Sequence, residues 1–153
     1  MWAGVDAGKA AHHCVVINEK GDRLLSRRVV NNEPELLQLI DDVCALATEV
    51  QWAIDLNCGG AGLVLAALAA QGQHVVYIPG RVVYHAAAGY RGEGKTDAKD
   101  AAIIADQARI RRDLRAFAPG GRRHSVVAHA DQSSIRPDAC SHGHYQPVAG
   151  AVG

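Results

Sequence analysis

Along the chain, apolar and polar positions fall into short blocks whose period changes from two to 3.6. "WAGVDAG" (residues 2–8) is a brief apolar run closed by an acid and a glycine, and "HHCVVIN" is a second such run. "EKGD" then gives a turn signal before "RLLSRRVV", so residues 2–30 predict a three-strand antiparallel meander. Asn32 suits a helix N-cap, Pro34 suits the first turn, and "ELLQLIDDVCAL" repeats apolar residues at helical spacing. "VQWAID" returns to strand, "GGAGLVLAALAAQG" reads as a buried helix with a glycine stop, and "HVVYI" is a further strand ended by Pro79-Gly80. A long loop and a helix from about residue 97 to 112 complete the pattern.

The predicted order is therefore β-β-β-α-β-α-β, loop, helix. Three antiparallel strands followed by alternating helices and strands point to an α/β domain of the ribonuclease-H-like class, a mixed sheet with helices on both faces. The expected extent of that domain is residues 1–117. Residues 118–153 carry neither period, hold four of the eight histidines and three of the five prolines, and offer little apolar face to bury. They are expected to be an unstructured tail, and the change of character also suits an out-of-frame end joined to a truncated gene. A histidine-rich metal tail is the less favoured reading of the same residues.

Length and composition narrow the class. At 153 residues with 48% hydrophobic content, the chain is one domain's worth with ample material for a core. No apolar run approaches the ~18 residues of a membrane span, and the start lacks the basic and apolar regions of a signal peptide. The expectation is a cytoplasmic protein with no membrane partner. Cys14, Cys44, Cys58 and Cys140 show no metal-ligand spacing and read as free thiols. His12-His13-Cys14 resembles a ligand cluster, but neighbouring strand residues point to opposite faces and cannot all reach one ion.

Formal charge sums to zero, yet it is unevenly placed. Residues 1–78 hold five Lys/Arg against nine Asp/Glu, whereas residues 79–116 hold eight against five. The basic excess surrounds "GYRGEGKT" (residues 89–96), which fits the phosphate-loop pattern G-x-x-x-x-G-K-[ST]. That motif needs a strand directly before it and a later strand ending in an acid, and the pattern offers neither. The segment is better read as a basic, glycine-rich loop, with Arg81, Arg91, Lys95 and Lys99 available to nucleic-acid phosphates. Tyr84 and Tyr90 are candidates to stack on bases or to pack.

The acids make the sharper case. Asp6 closes the first strand, Asp55 closes the fourth, and Asp97 and Asp100 lie three apart on one helix face. If the two strands are parallel neighbours, four carboxylates from three elements converge as ligands for Mg²⁺ or Mn²⁺, ions that prefer oxygen donors and stabilise a phosphodiester transition state. Each acid alone also suits a structural role as a cap or turn residue; their joint placement favours function.

With "GVDAGKAAHHCVVINEKGDRLL", "WAIDLNCGGAGLV", "YIPGRVV" and "YRGEGKTDAKDAAIIADQAR" assembled, the chain resembles the N-terminal domain of transposases of the insertion-sequence one-ten family, over about residues 1–117. The resemblance implies a Holliday-junction-resolvase-like domain with a D-E-D-D acid set, in which Asp6, Asp55, Asp97 and Asp100 take the four metal positions. Asp55 departs from the usual glutamate. It further implies DNA as partner, a structured guide RNA in at least some members, assembly with itself or with an intact transposase, and a second, serine-bearing domain. Nothing in residues 118–153 resembles that second domain, so the expectation is a fragment inactive in recombination by itself. Two alternatives stand beside this reading: "GVDAGK" also resembles the phosphate-binding start of actin-like sugar kinases, and a non-catalytic nucleic-acid-binding module would need only the fold.

Overall fold

The computed structural model describes residues 1–55, 60–90 and 96–116, within the compact unit Met1–Arg122. The meander is present as β1 (Trp2–Ala7), β2 (Ala11–Ile17) and β3 (Arg23–Val30). Its β2–β3 turn is closed by Asn18, whose Oδ1 accepts from the Lys20 and Asp22 amides at 2.9 Å. Gly21 supplies the positive φ of 85° that the turn needs.

Helix α1 (Glu33–Cys44) starts where Asn32 Oδ1 accepts from the Glu35 amide at 3.0 Å, with Pro34 in the first turn. β4 (Gln51–Asp55), α2 (Gly62–Ala70) and β5 (Val75–Tyr77) follow in the expected order. The predicted loop after Pro79 is instead partly a helix, α3 (Gly80–Ala87). Pro79-Gly80 reads as a stop because it ends a strand, but a proline with extended backbone also suits a helix N-cap boundary, and here one dipeptide does both. The last helix, α4 (Asp97–Ile110), lies within the predicted span, and a two-residue strand β6 (Arg115–Ala116) adds an edge that no sequence pattern announced.

The sheet order is β3-β2-β1-β4-β5-β6. β1 pairs antiparallel with β2 and parallel with β4, so the first and fourth strands are neighbours running the same way. One face packs Ala3, Val5, Cys14, Val16, Trp52 and Ile54 against Leu36, Leu39, Ile40 and Val43 of α1 and Val64 and Leu68 of α2. The other packs Val15, Ile17, Ala53, Val76 and Ile78 against α3 and α4. His12 is buried on the first face while His13 pairs with Asp6 on the second, which separates the two histidines as strand alternation requires.

α4 approaches the sheet at Gly4. A Cβ built there would stand 2.2 Å from the Ala101 carbonyl oxygen and 2.4 Å from the Ala105 amide nitrogen. Only glycine on β1, with Ala101 and Ala105 fully buried opposite, lets the helix lie against the strand. That contact sets where the acids at the start of α4 stand relative to Asp6.

Candidate metal and nucleic-acid site

Asp6 and Asp55 are register partners across the parallel β1–β4 pair, so both side chains leave the same face of the sheet at its C-terminal edge. Asp55 is buried, with 8% of its surface exposed, and Asp6 is half-buried. The space for the Asp55 carboxylate is kept by Gly80 at the start of α3: a Cβ there would lie 3.1 Å from Oδ2 and 3.4 Å from Oδ1.

Asp97 and Asp100 occupy the first turn of α4, whose N-cap is Thr96; its Oγ1 accepts from the Lys99 amide at 3.1 Å. The four aspartates line one cavity of about 1000 Å³, together with Gly8, Lys99, Tyr84 and His85. They surround the space without being drawn to a point: among the described residues, no three His, Cys, Asp or Glu side chains are gathered tightly enough to hold an ion. An all-carboxylate set around an open space suits a hard ion such as Mg²⁺, which keeps several waters and takes only one or two carboxylates directly.

Of the predicted phosphate contacts, Lys99 lines the cavity and Arg81 is exposed on α3. Arg91 and Lys95 lie outside the described residues, as does most of "GYRGEGKT". The part of that motif's setting that is described counts against a phosphate loop, because the element before it is helix α3 and not a strand.

The two tyrosines separate cleanly. Tyr84 is 78% exposed at the cavity wall, with its ring edge-on to His85 at 5.5 Å. Tyr90 donates its hydroxyl to Asp106, which also accepts from Arg109 Nε at 2.8 Å. Burial first, then the Asp106 bond, pushes the Tyr90 hydroxyl up to about 12, so it is a neutral donor that ties the end of α3 to α4.

Sequence reasoning missed His13. It pairs with Asp6 on β1 and with Arg28 on β3, and its Nε2 lies 2.9 Å from Ser26 Oγ. Burial holds its pKa below the ordinary histidine value; Asp97 acts to raise it and Arg23 and Arg28 to lower it. No sequence signal places it: the bulge between Val16 and Ile17 lies between the "EKGD" turn and this pair, so register counted from the turn alone would set His13 opposite Arg27. Cys14, on the opposite face, is a buried free thiol pushed up to about 12 by that burial, and Cys44 is a free, half-buried thiol.

Known proteins bear on this geometry at the levels of fold and family. The chain is similar to Thermus thermophilus RuvC solved in complex with a Holliday junction substrate, with a TM-score of 0.57 at 16% identity, covering 76% of this chain and 98% of that one. A second Thermus thermophilus RuvC structure gives 0.54 at 17% identity over 76% and 99%. That likeness fixes the fold as the ribonuclease-H-like mixed sheet expected from the element order.

In sequence, the chain is 65% identical to the uncharacterized 42 kDa protein of insertion element IS900 from Mycobacterium paratuberculosis, over 99% of this chain and 40% of that protein. It is 48% identical to the 44.8 kDa protein of IS116 from Streptomyces clavuligerus, over 83% and 31%. The chain thus spans less than half the length of these relatives, and the IS900 similarity includes most of the segment past Phe117. Residues 3–126 match the transposase family of DEDD type typified by IS110, and the chain belongs to that family.

Proposed function

We propose that this domain binds branched DNA and, with Mg²⁺ or Mn²⁺ held by Asp6, Asp55, Asp97 and Asp100, carries the phosphodiester chemistry of transposition. The observation that carries the reading is the meeting of four aspartates from β1, β4 and α4 around one cavity. So many carboxylates around one space repel one another unless a cation shares them. A divalent ion would supply charge stabilisation to a phosphodiester undergoing displacement.

The protein's own groups orient the substrate. Lys99 brings a positive charge to the cavity wall and Arg81 is exposed on α3, with Arg91 and Lys95, which fall between α3 and α4 in the sequence, as further phosphate contacts. Asp55 is the buried one of the four acids, at the end of its strand and with Gly80 close beside its carboxylate. Branched DNA is the favoured substrate because the structural neighbour was solved with a Holliday junction. The proposal extends to a structured guide RNA and to assembly with itself or with a full-length transposase, and full recombination is assigned to the longer protein. Among the described residues no helix is long and apolar enough to cross a membrane; a cytoplasmic site of action is part of the proposal.

The test is a thermal-unfolding titration of the whole chain with Mg²⁺ and Mn²⁺, beside binding and cleavage assays on a four-way junction. An ion at about 100 times its Kd adds about 2.7 kcal/mol of stability. Asp97→Asn should remove most of that gain and any junction cleavage. A full metal response in Asp97→Asn would overturn the assignment of the site.

A further inference from the structure

The residues that line up beside the acids reach past the cavity. Cα partners across β3, β2, β1 and β4 form one row, Arg28–His13–Asp6–Asp55, and directly opposed residues share a sheet face. A register shift between Val16 and Ile17 brings Arg23 opposite Ile17, whose side chain packs towards α4, so Arg23 joins Arg28 on the face that carries the acids. Both arginines are exposed, and both act electrostatically on His13 together with Asp97.

We propose that this β2–β3 edge, with Arg28 and Arg23 as cations and His13 fixed between them and the acids, is a subsite for the backbone phosphates of the DNA strand that enters the cavity. The proposal rests on the nucleic-acid reading of the acid site. Neighbouring strands lie about 4.8 Å apart, so the Arg28 backbone stands about 10 Å from that of Asp6. At about 3.4 Å of rise per nucleotide in a stacked strand, that distance is roughly three nucleotides. A phosphate held at the aspartates and its neighbours along the strand therefore fall over the acids and the arginines in turn.

Edge strands commonly carry charge to prevent sheet-to-sheet pairing, a task that charge on either face can serve. The contrast within "RR" argues for more. Arg27 faces the other way and is paired with Asp42 of α1, whereas Arg28 shares the face and the row of Asp6. One cation of the doublet is committed to the fold, and the other stands beside the site.

The experiment measures binding of the whole chain to a fluorescent DNA oligonucleotide as a function of salt. Arg28→Ala should weaken binding roughly three- to tenfold at low salt and reduce the slope of log K against log salt by roughly 0.7, the contribution of one single-strand phosphate contact. Arg28→Lys should restore the slope. Arg27→Ala, which removes the same charge one residue away, should leave affinity and slope unchanged.

Equal losses in Arg27→Ala and Arg28→Ala, or none in Arg28→Ala, would overturn the subsite. So would an RNA oligonucleotide of the same sequence bound through Arg28 more tightly than the DNA, since the edge would then be an RNA surface. Metal-induced stabilisation of Arg28→Ala should match the parent, and Asp97→Asn reports on the acids alone, so either reading can fail without the other.

Discussion

Gly80 stands against Asp55 so closely that a single added carbon would meet both carboxylate oxygens, at 3.1 Å from Oδ2 and 3.4 Å from Oδ1. The glycine at the start of α3 thereby sets how far the β4 acid projects into the cavity. Gly80→Ala should keep the fold, since the three atoms nearest the added methyl all belong to the Asp55 side chain, but turn the carboxylate aside. Outer contacts that orient a ligand typically change metal affinity by 10- to 100-fold. We expect about tenfold weaker Mn²⁺ binding in a thermal titration, with the metal-free melting temperature within a few degrees of the parent; unchanged affinity would remove Asp55 from the metal set.

Gly4 makes the corresponding contact for the other half of the site, because α4 rests on it through the backbones of Ala101 and Ala105. Gly4→Ala forces helix and strand apart, and overpacking of this kind costs about 1–3 kcal/mol. Since Asp97 and Asp100 ride on that helix, the metal response should fall along with stability. Urea denaturation with and without Mn²⁺ reads both. A destabilised variant with its full metal increment would show that the helix can shift without moving its acids out of place.

Most of this architecture was legible because the pattern carries it. Asn32, the "EKGD" turn and the period of "ELLQLIDDVCAL" each specify local structure that tertiary contacts then reinforce, and Asp6 and Asp55 were placed by counting strands. α3 was hidden: "GRVVYHAA" follows a Pro-Gly that reads as a stop, and its few apolar residues span barely two turns. With α3 hidden, so were Gly80 beneath Asp55 and the position of Tyr84 at the cavity wall. The row through His13 and Arg28 was out of reach for a different reason, since it depends on register between three strands and on a bulge, neither of which a hydrophobic pattern fixes on an exposed edge.

Thr96 decides between two meanings of "GKT". In a phosphate loop its hydroxyl would serve a nucleotide-bound ion; here it caps α4 through the Lys99 amide. Thr96→Ala should cost about 1 kcal/mol, and Thr96→Asp or Thr96→Ser should recover it, as exchange among capping residues does. ATP should not change the melting temperature of the parent or of any of these three variants. An ATP-dependent rise lost in Thr96→Ala would return the motif to nucleotide binding.

Tyr84 and Tyr90 give the last contrast, since they lie six residues apart with opposite commitments. Tyr90 spends its hydroxyl on Asp106, which is itself held by Arg109, and Arg109 also donates to the Glu19 carbonyl at 3.3 Å, so this chain of bonds links the end of α3, α4 and the β2–β3 turn. Tyr90→Phe leaves a partner acid short of one donor and should lower stability by about 1 kcal/mol, the usual net worth of such a bond. It should not alter DNA affinity measured well below the melting temperature. Tyr84 has no such bond among those described, is 78% exposed and shares the cavity wall with the acids, so Tyr84→Ala should leave stability unchanged. Stacking of a base on an aromatic ring is worth about 1–3 kcal/mol by alanine substitution, and an unpaired base next to a phosphate held at the aspartates would meet this ring. Tyr84→Ala should therefore weaken single-stranded DNA by at least about fivefold, and Tyr84→Trp should restore it. Fluorescence of a 2-aminopurine placed near the junction centre reads the contact directly: quenching by the parent and by Tyr84→Trp, but not by Tyr84→Ala, is the expected pattern. Equal quenching by all three would place the bases elsewhere.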